Sequence, residues 1–261
     1  MANIAQARAE LLAKTKRSQA IAEDRSEILN SGLAANLEMP HPVFIERGAG
    51  PYVFDADGNQ YIDTSVGFGL HMLGHAHADI EQAIKARTEQ GWMFGIHSTS
   101  QMKLASLLHE GSPCAERVVF CNTGSEATMY AFRAARGFSG KEKIALFDGF
   151  YHGAHDYGMW LTDPNSERTA PAHLPMGNGI PRALHELTLL LPYRETAAFD
   201  LIRRHKDELA LVFIEGVQSS NPQSEVGEFL QELAQVCRAC DVLFGIDEVI
   251  TGFRVAYGGA Q

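Results

Sequence analysis

Residues 209–247 read LALVFIEGVQSSNPQSEVGEFLQELAQVCRACDVLFGID. Two apolar runs, Leu209 to Ile214 and Val242 to Ile246, each deliver an acid, Glu215 and Asp247, and the segment between them carries apolar residues at helical spacing. A short apolar run bounded by turn residues fits a strand buried on both faces, and an amphipathic helix between two such runs fits a βα unit of a parallel sheet. The rhythm extends upstream. "RVVF" (117–120) precedes a helix from about Glu126 to Arg136, "KIALF" (143–147) precedes a Gly-rich loop, and "LTLLLPY" (187–193) precedes the helix "TAAFDLIRRHKDEL". The expectation is an α/β fold whose mostly parallel sheet carries helices on both faces.

Before residue 116 the pattern differs. Residues 1–30 read as a polar amphipathic helix with sparse apolar positions (Ile4, Ala7, Leu11, Ile21, Ile28), stopped by "NSG". "GPYVFDADGNQYIDTS" alternates around a Gly-containing turn, which predicts a β-hairpin. Asp79 is placed to cap "DIEQAIKARTEQ", ended by Gly91; Ser98 or Ser100 is placed to cap "QMKLASLLHE", ended by Gly111. The domain expectation is an N-terminal helix and hairpin segment over 1–78, part of a small domain, and a large domain over 79–261.

Composition narrows the function classes. The 261 residues are 45% hydrophobic, and 22 Lys and Arg against 32 Asp and Glu leave a net charge of −10 without a basic block, which points away from nucleic acid and anionic membranes. The longest apolar stretch, "LALVFIEGV", is far shorter than the roughly 20 residues of a spanning helix, and "MANIAQARAELL" has no signal-peptide core. A cytoplasmic protein acting on small molecules is expected. Cys237 and Cys240 form a C-x-x-C inside a helical segment with no second pair, so they read as thiols on one helix face. His71, His75 and His77 lie in a Gly-flanked loop without an accompanying ligand set, so no metal is expected there.

In an open α/β sheet ligands bind beyond the carboxyl ends of the strands. The residues there are Cys121 to Glu126 after "RVVF", Asp148 to Gly153 after "KIALF", Glu215 with Gln218, Ser219 and Ser220 after "LALVFI", and Asp247 after "VLFGI". Thr123, Gly124 and Ser125 open a helix with free N–H groups and hydroxyls, either an ordinary cap or an anion site suited to phosphate. Asp247 ends a central run with no Lys or Arg following before Arg254, so burying it calls for a cationic partner such as a protonated heterocycle, unless it merely caps the next loop. Pyridoxal phosphate combines a pyridinium, a flat ring and a phosphate, and Asp247, Thr123 to Ser125, Tyr151 and Val249 supply matching parts. A nucleotide-binding protein would leave Tyr151 and Asp247 without roles.

"FCNTGSEATMYAFRAARGFSGKEKIALFDGFYHGAHD", "GIPRALHELTLLLPY" and "FGIDEVITGFRVAYGGAQ" resemble the class III pyridoxal-phosphate aminotransferases, and within them the glutamate-1-semialdehyde 2,1-aminomutase branch; the likeness runs from about Pro51 to Gln261. The resemblance implies the large domain of a fold-type I transferase with pyridoxal 5'-phosphate as cofactor. It implies that Gly124 and Ser125, with Thr123 beside them, hold the phosphate, that Tyr151 stacks on the ring with His152 in the same cofactor-binding loop, and that Val249 packs behind the ring. Asp247 would pair with the pyridinium nitrogen as the catalytic acid. Glu215 and Gln218 match the segment that approaches the ring hydroxyl, with Ser220 a rival for that contact; the usual Pro after the Glu is Gly216 here.

Two departures bear on substrate. The branch has a Trp before its "GH" and an Arg near its start, whereas this sequence has Phe68 in "VGFGLHMLGH", taken as the substrate-side residue, and no Arg between Arg25 and Arg47. These point from glutamate-1-semialdehyde to an amino acid or amine as donor with a carbonyl acceptor. In the family the Schiff-base lysine lies in a "GK" segment beyond the "GGAQ" turn, so the sequence resembles an N-terminal portion, incomplete at the C-terminus and expected to be inactive alone. The complete protein is expected to be a homodimer. The rival readings are glutamate-1-semialdehyde aminomutase and a non-catalytic degenerate paralogue serving as a partner subunit.

Overall fold

A computed structural model describes residues 4–25, 40–167, 169 and 171–261, in two compact units, Met1–Ile96 and His97–Gln261. The first unit opens with α1 (Ile4–Lys14) and α2 (Lys16–Arg25), where the sequence predicts one helix over 1–30. Buried Thr15 lies between them, donating its hydroxyl to Leu11 O at 2.6 Å and meeting His41 Nε2 at 3.1 Å. The Asp57 carboxylate accepts the N–H groups of Arg17 (2.6 Å) and Ser18 (3.0 Å), so α2 has its own capped N-terminus, supplied by a distant turn. Ile28 and the stop at 30–32 lie outside the described residues.

The predicted hairpin is present as β2 (Tyr52–Asp55) and β3 (Gln60–Ile62), and β1 (Ile45–Ala49) pairs antiparallel with β2. Buried Asp55 organises the turn by accepting from Asp57 N, Asn59 N, Asn59 Nδ2 and Tyr61 OH at 2.7–3.0 Å. β1 escapes sequence reading because it is almost wholly exposed and places charged Glu46 and Arg47 mid-strand; the Arg47 guanidinium lies 3.3 Å from the Phe54 ring centre. A short α3 (Val66–Gly69) follows, with Phe68 exposed and in the left-handed region at φ 57°. His77, not Asp79, precedes α4 (Ala78–Glu89) and makes no side-chain cap bond; Asp79 sits in the first turn with Glu81, where the helix dipole favours acids. Gly91 follows the helix at φ 80°. His75 Nε2 meets Asp63 at 2.7 Å, and among the described residues no group of three metal-ligating side chains gathers.

The second unit starts with α5 (Thr99–Gly111), capped by Ser98, whose Oγ accepts from Gln101 N. In α6 (Gly124–Ser139) the Thr123 hydroxyl accepts from Glu126 N at 3.1 Å while Glu126 reaches back to Asn122 N at 2.7 Å, a reciprocal cap; left-handed Gly140 ends the helix. Then come β4 (Lys143–Phe147), the antiparallel pair β5 (Trp160–Thr162) and β6 (His173–Pro175), a 3-10 helix (Arg182–Leu187), β7 (Thr188–Leu191), α7 (Thr196–His205), β8 (Leu209–Glu215), α8 (Gly227–Ala239) and β9 (Leu243–Asp247). β7, β4, β8 and β9 form one parallel sheet in that order.

Alternation divides β4 between two cores. Ala145 and Phe147 join Leu201, Ile202 and Leu233 of α7 and α8, while Ile144 and Leu146 join Phe132 and Ala135 of α6. All seven residues of β8 are buried, as expected of a central strand covered on both faces. Its pairing with β4 jumps from Lys143↔Leu209 to Ile144↔Leu211, leaving Ala210 as a bulge. Cys237 lies in the core, where burial pushes its thiol up to about 12.

One predicted strand is absent. Residues 117–120 have no regular structure, and Val119 is 78% exposed. The β propensity of "RVVF" needs a ladder, and this segment pairs with neither edge of the sheet, β7 or β9.

Candidate functional site

Glu215 and Asp247 end adjacent strands in register, and the loop after β4 crosses in front of them. Their carboxylates grip consecutive residues of that loop. Glu215 Oε1 accepts the Tyr151 N–H at 3.1 Å, and Asp247 Oδ2 lies 2.9 Å from His152 Nδ1. Glu215 also accepts from Ser219 N (2.6 Å) and Ser219 Oγ (3.1 Å), and Asp247 Oδ1 accepts from Val249 N (3.0 Å). Both acids are buried, and these N–H and O–H donors offset the cost of burying charge. Asp247 retains a lone pair on each oxygen, so it can accept one more strong donor.

The α6 N-terminus joins the same edge. Ser125 Oγ accepts from Ala154 N at 3.0 Å, and a Cβ on Gly153 (φ 101°) would lie 2.7 Å from Ser125 Cα, so the two loops close only with glycine there. A Cβ on Gly124 would lie 3.4 Å from a Val249 methyl, which brings the β9 loop against the first turn of α6. Tyr151 and Val249 are about half exposed, at 45% and 46%, leaving apolar faces available to a flat ligand.

His152 and Gln218 face inward. His152 is 2% exposed, its ring edge-on to Phe213 at 4.9 Å and its Nε2 without a hydrogen-bond partner among the described residues. Gln218 Nε2 and Ser220 Oγ both donate to the Gly149 carbonyl, at 2.9 and 2.8 Å. Thr123 serves as the helix cap, Asp148 accepts from Thr162 N at 3.0 Å to hold β5, and Phe68 belongs to the first unit.

Sequence reasoning missed Thr128 and His155, and it set Ser219 at the strand end without giving it a role; its N–H and hydroxyl hold Glu215. The Thr128 hydroxyl donates to His152 O at 2.6 Å and meets His155 Nε2 at 3.0 Å, tying α6 to the β4 loop. Burial lowers the His155 pKa, and because the one Thr128 hydroxyl proton goes to His152 O, the His155 nitrogen is the donor in that pair. The available signal was a hydroxyl within the apolar stripe Thr128, Phe132, Ala135. A depression of about 740 Å³ lined by Lys141, Lys143, His173 and His185 lies at the opposite strand ends, away from this cluster.

A parallel sheet that gathers an open helix N-terminus, a half-exposed aromatic ring and a buried acid with spare acceptors defines the large domain of a fold-type I pyridoxal-phosphate transferase. The class-III aminotransferase family matches residues 33–259, and the chain belongs to that family. It is 38% identical over 255 residues to a glutamate-1-semialdehyde 2,1-aminomutase of Methanocaldococcus jannaschii, covering 95% of this chain and 58% of that protein. It is similar in structure to an omega-transaminase from Sphaerobacter thermophilus (TM-score 0.83, 32% identity, 94% of this chain and 57% of the other). A transaminase with PLP bound gives TM-score 0.84 at 31% identity, over 94% of this chain and 58% of its own. The chain therefore spans a little under three fifths of the length of the proteins it matches. Pyridoxal phosphate is the cofactor that goes with this family, and the residues at the sheet edge fit it: the Gly124 and Ser125 N–H groups that open α6 have no hydrogen-bond partner among the described residues, and Asp247 keeps acceptor capacity.

Proposed function

We propose that the whole protein is a pyridoxal-phosphate-dependent transaminase that moves an amino group between an amino acid or amine and a carbonyl acceptor. The observation that carries this reading is the convergence of Ser125, Tyr151 and Asp247 on one sheet edge through the Ser125–Ala154, Tyr151–Glu215 and His152–Asp247 contacts. The α6 N-terminus and Ser125 bind phosphate through N–H groups and the helix dipole. Tyr151 and Val249, both half exposed, would hold the ring and keep water from it. Asp247 accepts from the ring N–H and holds that proton in place. When bound, the cofactor supplies an aldehyde that condenses with amines and a ring that takes up the electron pair released at the substrate carbon.

The amine that bonds the cofactor is proposed, on the family resemblance, to be a lysine outside these residues; Lys141 and Lys143 are engaged with Asp241 O and Glu208 at the opposite strand ends. On this reading residues 1–261 alone carry no amino transfer, and the whole protein works as a cytoplasmic homodimer with the domain division given above. A second reading, internal migration of the amino group within glutamate-1-semialdehyde, is favoured by what the methanogen relative is named.

One assay separates them. The whole protein is incubated with cofactor and either an amine plus a 2-oxo acid, or glutamate-1-semialdehyde alone. Amino exchange requiring both substrates supports the transaminase; isomerisation without a second substrate supports the mutase. Borohydride trapping at a unique lysine within residues 1–261 would overturn the placement of the covalent amine.

A further inference from the structure

We propose that Glu215 is a positioning residue that sets the pose of Tyr151, and that it acts on the cofactor through that ring and not by contact. The inference rests on the reading of Tyr151 as the stacking residue. Both Glu215 oxygens are committed: Oε1 to Tyr151 N and Ser219 Oγ, Oε2 to Ser219 N. Glu215 is 5% exposed, and the donors it takes come from its own loop and from the loop after β4.

The rest of the β8 loop works on the same segment. Gly149 stands at φ 79°, and its carbonyl receives Gln218 Nε2 and Ser220 Oγ, the two residues that the family resemblance sets against the ring hydroxyl. The positive φ at Gly149 favours glycine, and a Cβ there would also lie 2.8 Å from Gln218 Nε2 and push that side chain off the carbonyl. Phe150, next along, is 7% exposed and packs edge-on to Tyr193 at 4.9 Å. Residues 149, 150 and 151 are thus fixed by a carbonyl, a buried ring and an N–H in succession. The Tyr151 ring is 45% exposed and has no hydrogen bond or ring partner among the described residues. The hydrogen bond nearest to the ring is the one that Glu215 accepts from the Tyr151 backbone N–H.

The chemistry of the clamp makes it selective. A carboxylate offers acceptors on both oxygens, whereas an amide turns one of them into a donor facing an N–H. Glu215→Gln therefore sets an NH₂ against either Tyr151 N or Ser219 N while keeping size and hydrophilicity. The charge-assisted bond to Tyr151 N is lost or weakened, and the loop gains freedom at residue 151.

The test uses the whole protein with Glu215→Gln, Tyr151→Ala and the double substitution. In the cofactor-free form, hydrogen exchange read by mass spectrometry on a peptide spanning residues 148–153 is expected to quicken by about tenfold or more in Glu215→Gln, the range given by losing one charge-assisted hydrogen bond. Equilibrium binding of pyridoxal phosphate is expected to weaken about tenfold in Glu215→Gln, yet less than about twofold when the same change is made on Tyr151→Ala, because a residue acting through Tyr151 has nothing left to act on. Additive losses in the double variant, or unchanged exchange over 148–153, overturn the proposal while leaving the stacking reading intact. Unchanged affinity in Tyr151→Ala overturns the stacking reading and the proposal with it. If Glu215→Gln fails to fold, Glu215→Asp keeps the charge and withdraws the oxygens by one methylene; the same non-additivity with Tyr151→Ala is expected, and its absence is equally decisive.

Discussion

Asp247 and Glu248 are neighbours in sequence and serve different structures. Asp247 closes on His152 and Val249 at the sheet edge, while Glu248 accepts from Ala260 N (2.8 Å), Gln261 N (2.9 Å) and the Thr251 hydroxyl, fastening the Gly258–Gly259 turn. In Asp247→Asn one acceptor becomes an amide donor, set against either the His152 or the Val249 N–H, and the group no longer balances a protonated ring nitrogen. Cofactor affinity of the whole protein is expected to fall by about 2 kcal/mol, with a larger loss in single-turnover rate because the charge grows as the reaction proceeds. Near-normal single turnover with this variant would remove Asp247 from the chemistry. Asp247 was legible because an acid at the end of an apolar run needs a partner. The partner it has here, the His152 ring, was not legible: 95 residues separate the two, and only the sheet brings them together.

The helix α6 shows how an element sets a site. Its Thr123 and Glu126 side chains take up the N–H groups of Glu126 and Asn122, which leaves those of Gly124 and Ser125 without a hydrogen-bond partner among the described residues and free for a ligand. Thr123→Ala is expected to cost about 1 kcal/mol in urea unfolding, the usual value of such a cap, with phosphate-bearing ligands weakened alongside. No change in either would show that the cap is dispensable. The cap was readable from "NTGSEA", and β4, β7, β8 and β9 from apolar runs, because burial on both faces writes a continuous pattern. β1 was missed because an exposed strand carries no such pattern, and "RVVF" was over-read because a strand exists only beside another. Residues 26–39, between α2 and β1, hold most of the stretch whose missing Arg bears on substrate, and they lie outside the described residues.

At the scale of the whole molecule, the first part of the acid response follows from two imidazoles that burial holds down, His173 and His155. His173 is 7% exposed and stacked at 3.9 Å on His185; burial first, then the neighbouring ring and Lys143, hold its pKa down at about 4. His155 is lowered in the same direction. A lowered imidazole is neutral in the fold and protonated more readily when unfolded. The His173 contribution is therefore flat above about pH 7, falls as pH drops through the ordinary histidine value of about 6.5, and changes no further below about 4, where carboxylates held below their usual range, Asp55 and Glu208 among them, lose theirs in turn. For His173 alone the loss at pH 4 is on the order of 3 kcal/mol. Urea unfolding at pH 7, 5.5 and 4.5 checks this, and His173→Gln is expected to flatten the profile; an equally steep profile in the variant would assign the acid sensitivity elsewhere.

The bulge in β8 behaves like an expansion joint. Leu209 faces one core, Ala210 and Leu211 both face the other, and alternation then runs undisturbed through Val212, Phe213 and Ile214 to Glu215. Ala210 is thus a spare link: deleting it would leave the strand in step with β4 and Glu215 pointing where it does now. Deleting Val212 would reverse the facing of part of the strand and send either the core residues or Glu215 to the wrong side. Thermal unfolding of the two deletions is expected to separate them widely. The phase of the acid at the strand's end is set by the residues counted from Leu211 onward, and the strand can shorten at one place without the site noticing.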